Sequence, residues 1–530
     1  MPDADRISLP LSDTSCDFRE GNVMKNKLIA CDLGTGGIKA SLFDACGVSL
    51  AEVFQQYETF FPHENWVEQR PGDWWKAVCA AIRALLELSR CSADEIACAA
   101  LSGHSLVAVP LDENGKLLKD QVPIWCDMRA EKQVSRFFSS LSYEDWYLTT
   151  GNGDPPETYT IFKLMWERDN EPDLFSATRM ILGSKDYINY RLTGRMCTDP
   201  SYASGFGVFN LKKWDYEERF FQAAGISSSI FPPILPSDSV IGCVTPEAAA
   251  ACGLNPGTPV ACGAVDNTCM SLGATGLEEG RAYASLGSSS WIAVTSRTPI
   301  VDVRTRPFVF AHARKGFYTS AVSIFSAGNS FRWLRDTCFQ ECGSGTEAYD
   351  AMNREAAGSP IGSRGVLFNP TLAGGSAQEP SPRLKGGFMG LTLATTRGDL
   401  TRAAMEGVAL ALRKTLDILK TQTALSGDML LTGGCSKSAL WRRIFCDVFA
   451  MPVLKTNVDQ DAASLGAAAL AANSVGLWEG YDIIAKIHRQ EERLEPDAES
   501  VKQYEKLLPI YGEWTETLAR LADQTAVMES

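Results

Sequence analysis

Three glycine-bearing segments hold the residue types from which phosphate chemistry is built. The first is Cys31-Asp32-Leu33-Gly34-Thr35-Gly36-Gly37-Ile38-Lys39. Glycines let a backbone approach an anion closely, and successive turn N–H groups form an anion-binding concavity. Thr35 adds a hydroxyl donor and Lys39 a cation. Asp32 would repel a phosphate unless hydrated Mg²⁺ lay between them, an ion commonly held by one or two carboxylates together with phosphate oxygens. The competing reading is an ordinary hairpin whose Asp bonds its own turn, and the segment matches neither G-x-x-x-x-G-K-[ST] nor G-x-G-x-x-G. The second segment runs from Val260 through Gly263 to Asp266, Asn267 and Thr268. A carboxylate there could take the proton of a substrate hydroxyl, an effect worth about 10²–10⁴ in rate. It could equally cap the helix that follows, since Asp is a favoured N-cap. The third, Leu430 to Trp441, reads as a strand, then Gly433-Gly434, then a helix whose start holds Ser436 and Ser438. That is a ready nucleotide edge, although nothing in it specifies adenine.

Weaker candidates surround these. His104, in Leu101-Ser102-Gly103-His104-Ser105-Leu106, stands between two strand-like runs, where a lone His is more often a satisfied structural residue. Trp66, Trp74 and Trp75 could stack on a sugar or pack in a core. Asp127 and Arg129 could bind hydroxyls, or pair with each other at the surface. Gly374-Gly375 and Gly386-Gly387 read as flexible linker.

These groups need a frame. From about Lys27 onward, short apolar runs alternate with amphipathic ones, the pattern of an α/β protein. Residues 27–33 and 38–43 read as strands joined by the turn 34–37, residues 72–89 as a helix, 96–101 and 106–111 as strands, and about 495–522 as a closing helix. Residues 28–43 (LIACDLGTGGIKASLF) echo residues 282–294 (AYASLGSSSWIAV): strand, Gly-hydroxyl turn, strand. One such hairpin per half predicts two related domains, at 27–276 and 277–522, after a flexible extension over residues 1–26. Met24 is an alternative start.

Composition narrows the function. The 530 residues are 45% apolar and 22% charged, ordinary for a globular chain. Lys and Arg number 50 against 64 Asp and Glu, a net charge of −14. That balance argues against a nucleic-acid footprint, which needs clustered positive charge. No run approaches the roughly 18 apolar residues of a membrane span, and the polar N-terminus is no secretory signal. The scattered Cys read as reduced thiols of a cytoplasmic protein, and the four His are too dispersed for a zinc site.

Taken in order, the segments resemble the FGGY family of carbohydrate kinases over about residues 27–520. The most specific part is Gly386-Gly387-Phe388-Met389-Gly390-Leu391, seven residues, then Asp399-Leu400-Thr401-Arg402-Ala403-Ala404-Met405-Glu406, which is similar to the family's C-terminal signature. Thr160 to Trp166 resembles its N-terminal signature, with Thr158 off pattern. Further similar segments are Gly183-Ser184-Lys185-Asp186-Tyr187, Gly263 to Asn267, Ser285 to Ser289 and Gly433-Gly434. The resemblance implies two RNase H-like (actin-like ATPase) α/β domains flanking a central cleft. It also implies transfer of the γ-phosphoryl group of ATP, with Mg²⁺, to a hydroxyl of a small sugar or polyol. Asp266 would be the base and Asp32 the Mg²⁺ partner. Thr35, Gly36, Gly37 and Lys39 would line the phosphates from one side and Gly287 and Ser288 from the other. Gly328 and Arg332, in Ser326 to Leu334, fall in the family's nucleotide segment, and Gly434 and Ser438 at its adenosine site. Gly103, His104, Ser105, Leu106, Asp127, Asp266 and Asn267 would contact the sugar.

The resemblance is greatest to the family's xylulose-phosphorylating branch, which implies a ketopentose acceptor. Two segments depart from that branch. His104-Ser105-Leu106 stands where it usually carries Gln-Met-His, and Gly375-Ser376-Ala377-Gln378 replaces Glu-Arg-Thr-Pro. The first change falls in the sugar pocket, so ribulose, an erythritol-like polyol or autoinducer-2 stay open as acceptors. A non-catalytic, nucleotide-dependent sugar sensor is the rival from another class. A homodimer is expected from the resemblance alone; no nucleic-acid or membrane partner is expected.

Overall fold

The structure, a computed structural model, describes residues 25–343, 345–376 and 378–529. The expected extension over 1–26 therefore lies, for residues 1–24, outside the described residues. Order is already set at Asn26, whose N–H donates to the Glu95 carbonyl at 3.1 Å.

Strands Lys27–Leu33 and Gly37–Phe43 pair antiparallel, and the turn closes where the Gly34 N–H meets the Gly37 carbonyl at 3.0 Å. Ser49–Gln56 continues the meander beside Gly37–Phe43. On its other edge Lys27–Leu33 runs parallel to Ile96–Gly103. Pro259–Ala261 is next, also parallel, and Val240–Cys243 closes the edge antiparallel. A seventh short strand, Ala264–Val265, pairs with Ile96–Gly103.

The same plan recurs in the second half. Arg281–Leu286 and Ser290–Ser296 form the hairpin, and Tyr318–Ile324 extends it. Ser426–Thr432 and Val453–Thr456 add in parallel, Gln490–Leu494 closes the edge antiparallel, and Phe308–Ala311 is the one addition. The echo of 28–43 in 282–294 is thus a repeat of six strands.

Alternation within the first strand explains the layers. Ile29, Cys31 and Leu33 pack with Trp74, Val78, Ile82 and Leu85 of helix Pro71–Ser89. Leu28 and Ala30 face the opposite way, onto helix Ala462–Ser474 of the other half. Successive strand side chains point to opposite faces, so a strand covered on both sides reads as one apolar run. Helix Ala462–Ser474 is buried on every side from Ala462 to Ala472, as expected of a helix apolar all round. It crosses its counterpart, Asp266–Thr275, at two glycines. A Cβ on Gly273 would lie 1.8 Å from the Ala462 carbonyl oxygen, and one on Gly466 2.0 Å from that of Cys269.

Residues between Ile96–Gly103 and Val240–Cys243 build a separate aromatic cluster around Trp146, Tyr159, Phe162 and Phe206. The closing helix spans Ala498–Glu529, longer than the expected 495–522. The Gly-Gly segments are structured rather than linkers: Gly387–Met389 pairs with Leu367–Asn369, and the Gly375 N–H donates to the Pro382 carbonyl at 3.2 Å. No disulfide joins the described cysteines. No described helix is long and apolar enough to cross a membrane.

Candidate active site

Asp32 and Asp266 stand at the carboxyl ends of two strands that flank Ile96–Gly103 on either side. Asp32 lies opposite Ser102 in the parallel register, and Val265 opposite Gly103. The carboxyl ends of parallel strands are where open α/β sheets bind ligands. The Ser102 hydroxyl donates to Asp32 Oδ1 at 2.7 Å, and the Asn267 N–H to Asp266 Oδ1 at 2.7 Å. Burial, reinforced by the charge of Asp32, pushes the Asp266 carboxyl up to about 7. Burial also raises Asp32, against the opposing pull of Ser102 and Lys39. Asp266 does not cap its helix: the capping position is Val265, and Asp266 is the first helical residue. Of its carboxylate, Oδ1 is engaged by the Asn267 N–H of the helix's own first turn.

The first hairpin turn is braced from below. Gln69 Nε2 donates to the Thr35 carbonyl at 2.6 Å, and the Tyr57 hydroxyl to that of Gly34. Gln69 is itself fixed by the Trp74 indole N–H at 2.9 Å. Thr35 and Gly36 are exposed. Trp125 Nε1 donates to Thr35 Oγ1 at 2.9 Å, which leaves the hydroxyl proton to point elsewhere. Lys39 Nζ is paired with Asp461 Oδ1 of the second half.

The second hairpin turn sits on a helix start. The Ala327 and Asn329 N–H groups donate to the Ser288 carbonyl at 2.9 and 3.0 Å, and Gly328 N–H to that of Gly287 at 3.0 Å. A Cβ on Gly328 would lie 2.5 Å from the Gly287 oxygen. Arg332, one turn along helix Gly328–Cys338, reaches Ser288 Oγ at 3.4 Å. Gly287, Ser288, Gly328 and Arg332 thus form one unit. Gly434 is exposed on a separate turn, where the Gly433 N–H is held by Asp459. Ser438 caps helix Ala439–Phe449 by accepting from the Trp441 N–H, and donates to Asn353.

The segment Gly103 to Leu106 differs most from expectation. His104 is 2% exposed, and neither ring nitrogen has a partner. It is buried as expected but not satisfied; its edge meets Trp74, with ring centroids 5.3 Å apart. Burial and the nearby Lys163 charge push His104 down to about 4, so it is neutral at physiological pH. Leu106 holds a left-handed φ of 65°, sparse territory for a branched side chain. Its carbonyl is gripped by the fully buried Lys163 ammonium, which also bonds the Ile124 carbonyl, at 2.8 and 2.6 Å.

Asp127 is corrected. It is fully buried, and both its oxygens are taken by Arg129, with Val67 N–H on one of them. It cannot contact a sugar without breaking that pair. The pair is not a surface one: Arg129 also bonds Glu68 and lies 3.8 Å from the Trp66 ring centroid. Trp66, Trp74 and Trp75 do not form one cluster. Trp66 meets Trp166, Trp74 is core, and Arg191 covers Trp75. Lys163, Gln69 and Trp125 were not singled out from sequence. Lys163 stands in the N-terminal signature, but a lysine among apolar residues gives no sign of which carbonyls it will hold.

The donor set suits the expected cofactors. Two half-buried carboxylates, the charge of Asp32 raising the proton affinity of Asp266, suit a divalent cation. Among the described residues no three metal-ligating side chains converge, so protein would supply only part of its shell. The two turns offer small residues, hydroxyls and Arg332 for phosphates.

A six-strand plan occurring twice, with a Gly-hydroxyl hairpin turn on each copy, defines the actin-like ATPase class of two-domain folds. The N-terminal domain model of the FGGY family of carbohydrate kinases matches residues 27–273, and the C-terminal domain model residues 282–475. The chain belongs to the FGGY family of carbohydrate kinases. It is 29% identical over 486 residues to a xylulose kinase of Bacillus subtilis, covering 91% of this chain and 95% of that one. It is 27% identical over 494 residues to a gluconokinase of Bacillus licheniformis, covering 92% and 95%. Among solved structures, it superposes on a xylulose kinase from Rhodospirillum rubrum with a TM-score of 0.85 at 28% identity, covering 94% of this chain and all of that one. A gluconate kinase from Lactobacillus acidophilus gives 0.87 at 26% identity, covering 94% and 99%.

Proposed function

We propose that this carbohydrate kinase phosphorylates a neutral ketopentose such as xylulose, with ATP and Mg²⁺. Asp266 takes the proton of the acceptor hydroxyl as its oxygen attacks phosphorus. The observation that carries this is the Asp266 carboxyl poised at about 7 on a helix start beside Asp32. A general base works best with a proton affinity near the operating pH. Asp32 would hold Mg²⁺, which when bound neutralises charge on the transferring phosphates. Thr35, Gly36, Gly37 and Lys39 on one turn, and Gly287, Ser288, Gly328 and Arg332 on the other, would orient them. Gly434 and Ser438 would border the adenosine. Gly103 to Leu106 and Asn267 would face the acceptor.

A neutral acceptor is favoured over an aldonate by the cations of this region. Arg129 is spent on Asp127 and Glu68, and Lys163 on two carbonyls. A substrate carboxylate would have to displace one of them. We further assign residues 27–276 and 277–522 to the two domains, and a cytoplasmic location.

ADP release with and without D-xylulose, D-ribulose, erythritol and gluconate tests the reading. Strong stimulation by a neutral sugar supports it. Preference for gluconate overturns the acceptor class, and a rate flat across the panel overturns transfer in favour of a sensor.

A further inference from the structure

A dry ionic hub lies directly behind the segment that carries Asp266. Lys185, Asp186 and Asp199 have no solvent-exposed side-chain surface. The Lys185 ammonium donates to Asp186 Oδ1 at 2.6 Å and to the Cys262 carbonyl at 3.2 Å, and forms an ion pair with Asp199 Oδ1 at 3.0 Å. Asp199 Oδ2 accepts from the hydroxyls of Ser201 at 2.5 Å and Ser237 at 2.7 Å, and from the Ser201 N–H at 3.0 Å. Asp186 Oδ2 accepts from Thr198 at 2.7 Å.

Asp199 also caps helix Pro200–Ser204, and several further bonds around the hub end on residues 262–265. Asn189 joins Lys185 on the Cys262 carbonyl at 2.8 Å. The Gly263 N–H donates to the Ser237 carbonyl at 2.9 Å. The Val265 N–H, one residue before Asp266, donates to Ser201 Oγ at 3.0 Å. Between them Gly263 holds φ +74°, with its Cβ position 2.0 Å from the Leu101 carbonyl oxygen, so the chain breaks step there before rejoining the sheet. A strand interrupted so near its end has few ladder bonds of its own to fix the next residue. Buried charges cost several kcal/mol each to desolvate, so a hub of this kind is a poor device for stability alone.

We propose that Lys185, Asp199 and Ser201 are positioning residues for Asp266, aiming its carboxylate at the acceptor hydroxyl through the Cys262–Val265 backbone. The inference rests on Asp266 being the base. Its test uses the full chain with the panel sugar that stimulates ADP release, or with water as acceptor where none does. Ser201→Ala leaves the Val265 N–H without its partner and adds no bulk. Misplacing a reacting group by about 1 Å can cost 10²-fold, so turnover at saturating ATP and acceptor should fall about 10- to 100-fold. The KM for ATP should stay within about twofold, and the acidic limb of the pH–rate profile, where Asp266 takes up its proton, should move, because the environment of Asp266 changes. Thr515→Val removes an equally buried hydroxyl in the other half and controls for lost stability. If Ser201→Ala lowers the melting temperature as Thr515→Val does, but leaves turnover and the pH limb in place, the relay is overturned. Asp266→Ala separates the two ideas. If it keeps turnover, the base reading falls and takes the relay with it; if it loses turnover while Ser201→Ala does not, the relay alone falls.

Discussion

Lys39 Nζ lies 2.7 Å from Asp461 Oδ1, so a cation on the second strand of one sheet is held by an acid just ahead of helix Ala462–Ser474 in the other half. Glu52 shares the spot: burial and then the charge of Asp461 raise its carboxyl. Acids thus outnumber the ammonium here. Where Lys39 also serves the phosphates, Asp461 competes with them for it. Lys39→Met should raise the KM for ATP about tenfold, within the range of a lost charge-assisted bond. Asp461→Asn should lower that KM or leave it unchanged. Initial-rate ATP titrations decide this, and a rise for Asp461→Asn would make the ion pair itself the working unit.

Asp266 should leave a signature in stability as well as rate. Its proton affinity is raised on folding, so between about pH 4 and 7 the native chain binds more protons there than the unfolded chain. Stability contributed by this group is therefore present below about pH 4 and lost as pH rises to 7. Asp266→Asn abolishes that loss. It should melt higher than the parent at pH 8, by a margin on the order of a few kcal/mol at most, and show no advantage at pH 4. Its turnover should fall at least about 100-fold. Thermal melts at the two pH values and a single-time-point assay check both.

Asp32 should be read through magnesium. Removing one of two carboxylates near a divalent ion weakens its hold while phosphate ligands remain. Asp32→Ala should raise the Mg²⁺ concentration for half-maximal rate roughly tenfold at fixed ATP, a shift of about 1.4 kcal/mol. A magnesium titration that superposes on the parent's would remove Asp32 from that role.

His104 presents two unpaired ring nitrogens to a buried site, and unsatisfied polar groups of that kind cost about 1–3 kcal/mol. His104→Leu should be neutral or stabilising in a melt. His104→Gln should change acceptor KM several-fold while leaving ATP KM alone. Because the ring is neutral above about pH 5, neither variant should alter the shape of the pH–rate curve from pH 6 to 9.

Local chemistry made much of this molecule readable before its fold was known. The hairpins at 27–43 and 281–296 announce themselves because apolar runs flank turns that only glycine and small hydroxyl residues tolerate. Asp32 and Asp266 stand at strand ends, where a carboxylate has no packing purpose. Partners distant in sequence were not readable. Asp127 and Arg129, two residues apart, read as a surface pair, yet Glu68 and Trp66 come from another stretch to bury them. Lys185 and Asp199 are charged residues that pattern alone places outside. Lys163 sits in a readable signature, but its two carbonyls, 57 and 39 residues away, are fixed only by tertiary folding. The acids of the C-terminal signature prove architectural: Asp399 closes a capping box with Thr396, and Glu406 gathers Gly362, Ser363, Arg402 and Tyr504.

The crossing at Gly273 and Gly466 has a mechanical meaning. Side chains that interlock between helices act as gear teeth, and turning one helix against the other means pulling them out of mesh. Here bare peptide rests on bare peptide at both contacts, which would let one helix turn against the other with little to unmesh. One extra methyl on either surface would jam it.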